Sequence, residues 1–305
     1  MKAFGYQTNG GADVQEQLEL AKPSPLPGEL LVEVRAAGVN PVDWKIRSGV
    51  YGPTDPSDFP VVLGREVSGV VREVGQDVDG FAPGDEVFGA VAPGSGGFSE
   101  FTLTTAGSTA PKPPQVTFTD AATLTVAVAT AYDGVRQIGL EPGKTLLING
   151  ISGGVGVAAA QIARDNGINV VGTAGADKKE LVESLGATLV PYGDGVVESI
   201  LTILPDGVDA ILDLAGGDGL RAVADLVADR SKLISAADKQ TVEELGGHAV
   251  ERDRSRAGLE AVAALVAGGK LDPHVEDVVP LDKAAEAMAA VEVGHAKGKV
   301  VIQVS

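Results

Sequence analysis

One stretch, LLINGISGGVGVAAAQIARDNGINVVGTAGADKK at residues 146–179, restricts the fold more than any other part of the chain. An apolar run at 145–148 meets glycines at 150, 153, 154 and 156. A small-residue helical pattern then extends to about Asn166, and a second apolar run occupies 168–172. The order is strand, tight turn, helix, strand, the unit from which parallel sheets with right-handed crossovers are built. Glycines in the turn admit backbone conformations closed to other residues and let a bulky anion approach without meeting a Cβ atom. The helix that follows offers unpaired N–H groups and a partial positive charge to such an anion.

The spacing Gly150-x-x-Gly153-x-x-Gly156 is related to the dinucleotide-binding fingerprint, but Ile151 and Ser152 stand where its first G-x-G would fall. Glycines alone would equally serve an ordinary turn with close helix packing. Their setting between two strands favours a diphosphate held by Gly150, Ser152, Gly153, Gly154, Val155 and Gly156. The end of the second strand bears on which nucleotide this is. An acid about twenty residues past the glycines holds the ribose 2′-OH of NAD and would repel the 2′-phosphate of NADP. Here the strand ends in Gly172, Thr173, Ala174 and Gly175, with no acid before Asp177, and Lys178 and Lys179 follow. The pattern leans to NADP, with one of the two lysines on the 2′-phosphate; the plainer alternative leaves both solvated at a helix start.

The length of 305 residues allows about two domains. No apolar run approaches the roughly 18 residues of a membrane span, and the opening MKAFGYQTNGGADVQ turns polar at once, so a cytoplasmic protein is expected. Cysteine is absent, which removes disulfides, thiolate nucleophiles and cysteine-ligated zinc. The histidines, His248, His274 and His295, are far apart and form no ligand spacing, so no metal is expected. A net charge of −18 argues against nucleic acid or an anionic membrane as a partner, because phosphate binding needs clustered Lys and Arg.

Along the chain two textures alternate. Up to about residue 117, short alternating runs such as ELLVEVRAAGV and EVSGVVREVG are broken by PSPLPGE, YGPTDPSDFP and FAPGDEV, the pattern of a β-rich, barrel-like domain. From Phe118 onward long helical stretches, beginning with TFTDAATLTVAVATAYDGVRQIG, alternate with the apolar strands KTLLING, INVVGTA, TLVPY, VDAILDLAG and SKLISAAD, which specifies βαβ units around a parallel sheet. The glycine pair Gly216-Gly217 falls at a strand end, as Gly153-Gly154 does, where doubly wound sheets bind ligands. The tail VVPLDKAAEAMAAVEVGHAKGKVVIQVS adds one helix and one strand beyond the βαβ units.

These features together resemble the zinc-independent medium-chain dehydrogenases/reductases of the quinone oxidoreductase, or zeta-crystallin-like, branch. The resemblance runs nearly end to end, through PGELLVEVRAAGVNPVDWKIRSGVY (27–51), FPVVLGREVSGVV (59–71), FAPGDEVFG (81–89), GGFSEF (96–101), LTVAVATAYDGV (124–135), PGKTLLINGISGGVGVAAAQIA (142–163), ELVESLGA (180–187), AILDLAGG (210–217) and GHAKGKVVIQV (294–304). It implies an α/β protein with a GroES-like β-barrel domain at 1–118, completed by 272–305. A Rossmann doubly wound parallel-sheet domain follows at 119–271, with NADPH in the cleft and a homodimer as the assembly. In zinc alcohol dehydrogenases of the same superfamily a cysteine takes the place of Asn40 and a histidine that of Arg65, and a four-cysteine lobe is expected; all are missing here.

The resemblance also implies roles for single residues. Asn40 is expected beside the nicotinamide, orienting the ring or donating to a substrate oxygen, although a turn asparagine before Pro41 explains it as well. Tyr51 faces the substrate cleft in such proteins, as a donor to a developing enolate or only as a wall. Thr130 matches a residue near the nicotinamide, Lys178 or its neighbour Lys179 the 2′-phosphate ligand, Tyr192 a tyrosine near the adenosine phosphate, and Lys299 a tail residue reaching the cofactor. Thr173 joins this set at its strand end. The segment ADKQTVEELGGHAVERDRS departs from the family pattern, which leaves contacts at the nicotinamide end open.

Without a metal to polarise a carbonyl, conjugate reduction is the easier chemistry, because the negative charge falls on an oxygen that hydrogen bonds can stabilise. The expectation is NADPH-dependent reduction of a small quinone or an α,β-unsaturated carbonyl. Two alternatives stay open: an enoyl reductase with one dedicated biosynthetic substrate, and a nucleotide-binding sensor without redox chemistry.

Overall fold

The computed structural model describes residues 1–294 and 297–304, so His295 lies outside the described residues. The chain divides into two compact units, Met1–Val126 with Arg254–Gly268 and His274–Ser305, and Ala127–Asp253 with Gly269–Pro273.

The first unit begins with β1 (Lys2–Tyr6), β2 (Gln15–Glu19), β3 (Glu29–Val39), β4 (Val61–Val62), β5 (Glu66–Val74), β6 (Glu86–Val91) and β7 (Phe101–Pro111). β1 pairs with β2 and β4 in a small sheet. β3, β5, β6 and β7 pair in that order, and the further pairing of β3 with β7 closes them into a barrel. The expected β-rich barrel is therefore present, with Tyr6, Val34, Val67 and Phe98 in its main core.

The second unit carries β8 (Thr145–Asn149), β9 (Asn169–Ala174), β10 (Thr188–Pro191), β11 (Ala210–Asp213), β12 (Leu233–Ser235) and β13 (His248–Ala249). All pair in parallel, in the order β10-β9-β8-β11-β12-β13. Strand order reverses between β8 and β11, and a doubly wound sheet binds ligands outside the carboxyl ends at such a reversal. The helix Gly154–Asp165 follows β8, with Val157 to Ala160 fully buried. The last strands, β14 (Val275–Pro280) and β15 (Lys299–Gln303), belong to the first unit; β15 pairs antiparallel with β3, and Met288 and Ile302 of the tail join the barrel's core.

Two details differ from the sequence reading. The segment 118–138 is not one helix: Phe118–Ala121 is a short helix, Leu124–Val128 a π-helical turn and Ala129–Ile138 a second helix. The N–H of Val126 in the widened turn donates to Glu66 Oε2 at 2.7 Å. The dividing lines also move. Residues 119–126 group with the first unit, and so do 254–268, where the helix Arg256–Ala267 packs against β7 and Arg256 stacks on Phe81.

Candidate functional site

In the second unit the site is built on the glycine turn. Gly150 has φ +95°, in the left-handed region that favours glycine, and its N–H donates to Thr173 Oγ1 at 3.1 Å. A Cβ at Gly156 would lie 2.5 Å from the Ile151 carbonyl oxygen, so the helix closes on the turn only with glycine there. Ile151, which replaces a fingerprint glycine, is fully buried and fills the space above Gly172, where a Cβ would meet its side chain at 2.5 Å. By contrast, a Cβ at Gly153 would meet nothing nearer than 4.0 Å, so the turn leaves open space directly ahead of the helix start. Gly153 caps that helix without a side-chain bond, and Gly154, Val155 and Gly156 form its first turn, whose N–H groups have no intrahelical acceptor. Ser152 is half-buried beside them.

A row of buried polar residues crosses the carboxyl ends of the strands. Asn149, Asp213 and Ser235 end β8, β11 and β12, Thr173 is the next-to-last residue of β9, and the four sit opposite one another in register. Thr173 Oγ1 donates to Asn149 Oδ1 at 2.6 Å, Asn149 Nδ2 donates to Asp213 Oδ1 at 2.8 Å, and Ser235 Oγ donates to Asp213 Oδ2 at 2.6 Å. Asp213 also accepts from the N–H of Gly216 at 3.1 Å. One hydrogen-bonded chain therefore fixes both glycine turns, at 150 and at 216. Thr173, expected at the cofactor, gives its hydroxyl proton to Asn149 and accepts the Gly150 N–H, so its side chain holds the turn. Asn149, Asp213 and Ser235 were missed. Their signal was available: each is a polar residue closing an apolar strand run.

At the end of β9 the structure brings together Gly175, Asp177, Lys178 and Tyr192. Tyr192 lies with its N–H on the Ala174 carbonyl at 3.1 Å, and its exposed ring (70%) stands beside Gly175. Lys178 is largely buried and its ammonium pairs with the Asp177 carboxylate at 3.0 Å. Lys179 points elsewhere, to Glu183 at 3.1 Å on its own helix. Of the two lysines, only Lys178 lies beside the strand end.

The first unit holds a buried ionic cluster. Lys299 Nζ donates to the Val39 carbonyl at 3.0 Å, to Asn40 Oδ1 at 2.7 Å and to Glu66 Oε1 at 3.0 Å. Asn40 Nδ2 donates to Glu66 Oε1 at 2.8 Å, and the Asn40 N–H to Asp43 Oδ2 at 2.8 Å. Glu66 reaches this place because Gly38 has no side chain; a Cβ there would lie 2.4 Å from Glu66 Oε1. Burial pushes the Asp43 carboxyl up to about 7, against the opposing pull of the Asn40 N–H. Lys299, expected at the cofactor, spends its three donors inside the unit. Asn40, expected beside the nicotinamide, is buried and bonded through both amide atoms. Glu66 and Asp43 went unnoticed because a buried acid leaves no periodic trace in sequence.

The remaining expected residues stand apart from these groups. Tyr51 is exposed (65%) in a turn after the helix Pro41–Arg47. Thr130 is buried in the second unit, its hydroxyl accepting from Arg252, which also contacts Asp133 at 3.4 Å. Burial raises the Asp133 carboxyl. Among the described residues no helix is long and apolar enough to cross a membrane, and no group of three or more acids and histidines is placed to hold a metal ion.

One unit is a closed β-barrel; the other is a parallel sheet in the order of a doubly wound nucleotide-binding fold, with an open glycine turn at the switch point, and this pair of domains is an architecture of dehydrogenases and reductases. Comparison with known proteins agrees. Residues 26–114 match the alcohol dehydrogenase GroES-like domain and residues 185–302 the zinc-binding dehydrogenase domain. The human mitochondrial NAD(P)H oxidoreductase RTN4IP1 is 37% identical over 91% of this chain and 82% of its own length. The 2-methylene-furan-3-one reductase of Solanum lycopersicum is 33% identical over 99% of this chain and 79% of its own. The Escherichia coli quinone oxidoreductase, solved in complex with NADPH, superposes with a TM-score of 0.89 at 25% identity, over 99% of this chain and all (100%) of that one. The chain belongs to the medium-chain dehydrogenase/reductase family, in its quinone oxidoreductase branch.

Proposed function

We propose that this protein reduces quinones or α,β-unsaturated carbonyl compounds with NADPH and without zinc. The observation that carries this reading is the glycine turn at the sheet's switch point, open ahead of a helix N-terminus and followed, at the end of β9, by Lys178. The residues fit the cofactor: Gly153 leaves room for a diphosphate, the first turn of the helix presents N–H groups to it, and Lys178 with Tyr192 offers a cation and a ring to the adenosine end. Bound NADPH supplies the hydride. The protein's own part is to hold both glycine turns rigid through the row from Thr173 to Ser235, and to present Tyr51, an exposed hydroxyl, as a donor to the substrate oxygen.

Zinc does not suit the residues present. Asn40 and Glu66 already face a cation, the Lys299 ammonium, and the chain has no cysteine. Relatives named as a quinone oxidoreductase homologue and as a 2-methylene-furan-3-one reductase support a conjugated carbonyl compound as the acceptor. The test is isotopic: NADPH carrying deuterium at the transferable position, incubated with an enone, places the label on the β-carbon of the product. Label on the carbonyl carbon, giving an allylic alcohol, refutes the reading.

A further inference from the structure

The ion pair at the end of β9 bears on which nucleotide the site accepts. Asp177 lies in the turn Ala176–Lys178, past the end of β9, whereas the acid that grips an NAD ribose stands at the strand end itself. Its carboxylate is folded back over Gly175: a Cβ at that glycine would lie 2.5 Å from Asp177 Oδ1, so the absence of a side chain at 175 is what admits it. From there it pairs with Lys178 at 3.0 Å. The carboxylate is mostly exposed (69%), whereas the lysine side chain is only 10% exposed. The acid is thus the solvent-facing member of the pair, and the cation is reached past it.

We infer that Asp177 is a specificity-determining residue that flattens the preference for NADPH and lets NADH bind at this site; the inference rests on the nucleotide site proposed above. A 2′-phosphate brings charge of the same sign as Asp177, so it gains the Lys178 ammonium only while repelled by the acid beside it. A ribose 2′-OH meets no such repulsion and donates to the Asp177 carboxylate, with Lys178 left paired. The lysine favours one nucleotide and the acid the other, three bonds of chain apart, and neither excludes its rival. A lone lysine in this turn would give a steep preference; a lone acid would reverse it.

The experiment measures dissociation constants by direct titration of the whole protein with NADPH, NADH, adenosine 2′,5′-bisphosphate and 5′-AMP, at fixed low ionic strength, for the wild type, Asp177→Asn and Lys178→Ala. No turnover is needed. The wild type is expected to bind NADPH no more than about tenfold more tightly than NADH. Asp177→Asn is expected to widen that ratio about tenfold, and the ratio of bisphosphate to AMP with it, chiefly by tightening the 2′-phosphate ligands. Lys178→Ala is expected to bring the ratio to parity or below. Unchanged ratios in Asp177→Asn, with binding intact, overturn the inference while leaving the nucleotide site standing. Failure of the wild type to bind any of the four ligands overturns the nucleotide site and this inference with it. Asp177 is exposed and Asn keeps its size, and unchanged circular dichroism and melting temperature confirm that the variant is folded.

Discussion

The Lys299 ammonium shows how one tail residue governs the interior of the first unit. It is buried against Glu66, and the two share Asn40 between them, so neither charge is compensated if the other is removed. Lys299→Met is expected to cost about 3–5 kcal/mol, because it strands the Glu66 carboxylate without a cation. The double variant Lys299→Met with Glu66→Gln is expected to recover part of that loss, and chemical denaturation of both proteins checks it. Asp43 gives a second residue-scale prediction. Its carboxyl is raised in the fold to about 7, so the folded state holds a proton that the unfolded chain releases near 3.8. The contribution is full below pH 4 or so and is lost as pH rises through about 7, where the buried group must ionise. Asp43→Asn cannot ionise. The melting temperature of the variant is therefore expected to gain on the wild type between pH 5 and pH 8; a constant difference across that range contradicts the shift.

At the scale of elements, the sheet ends determine what the turns can do. The strands β8 to β12 were legible in the sequence because each is a short apolar run flanked by turn residues. The helix after the glycine turn was legible to within a residue, since small residues at 158–160 pack it onto the sheet. The polar row was not read as a unit, because register is a property of strand pairing, and no single strand contains it. The break in the segment 118–138 was hidden for a similar reason: its cause, Glu66, lies on another strand. Thr173→Val tests the row. It keeps the shape of the side chain but removes the side-chain acceptor of the Gly150 N–H, leaving the Thr173 carbonyl, and removes the donor to Asn149. A loss of about 1–2 kcal/mol in stability is expected, with weaker nucleotide binding, and Thr173→Ser is expected to restore both.

For the whole molecule, two textures of sequence became two kinds of sheet. Turn signals every ten residues or so gave the barrel, and helices between apolar runs gave the parallel sheet, while only the family resemblance indicated that the tail returns to the barrel. The compact units divide after Val126 and place the helix Arg256–Ala267 with the barrel, a grouping that sequence texture does not show because it does not reveal which surface a helix covers. The bonds that Asn40 and Lys299 make inside the barrel unit were not legible, because Glu66, which both meet, lies on a strand distant from each in sequence. The central claim is a reaction, and the most direct measurement is NADPH consumption by the purified protein against a panel of small quinones and enones. Rapid oxidation of NADPH that depends on both the protein and the acceptor is the result predicted. Bound NADPH that is never oxidised, whichever quinone or enone is offered, would contradict it.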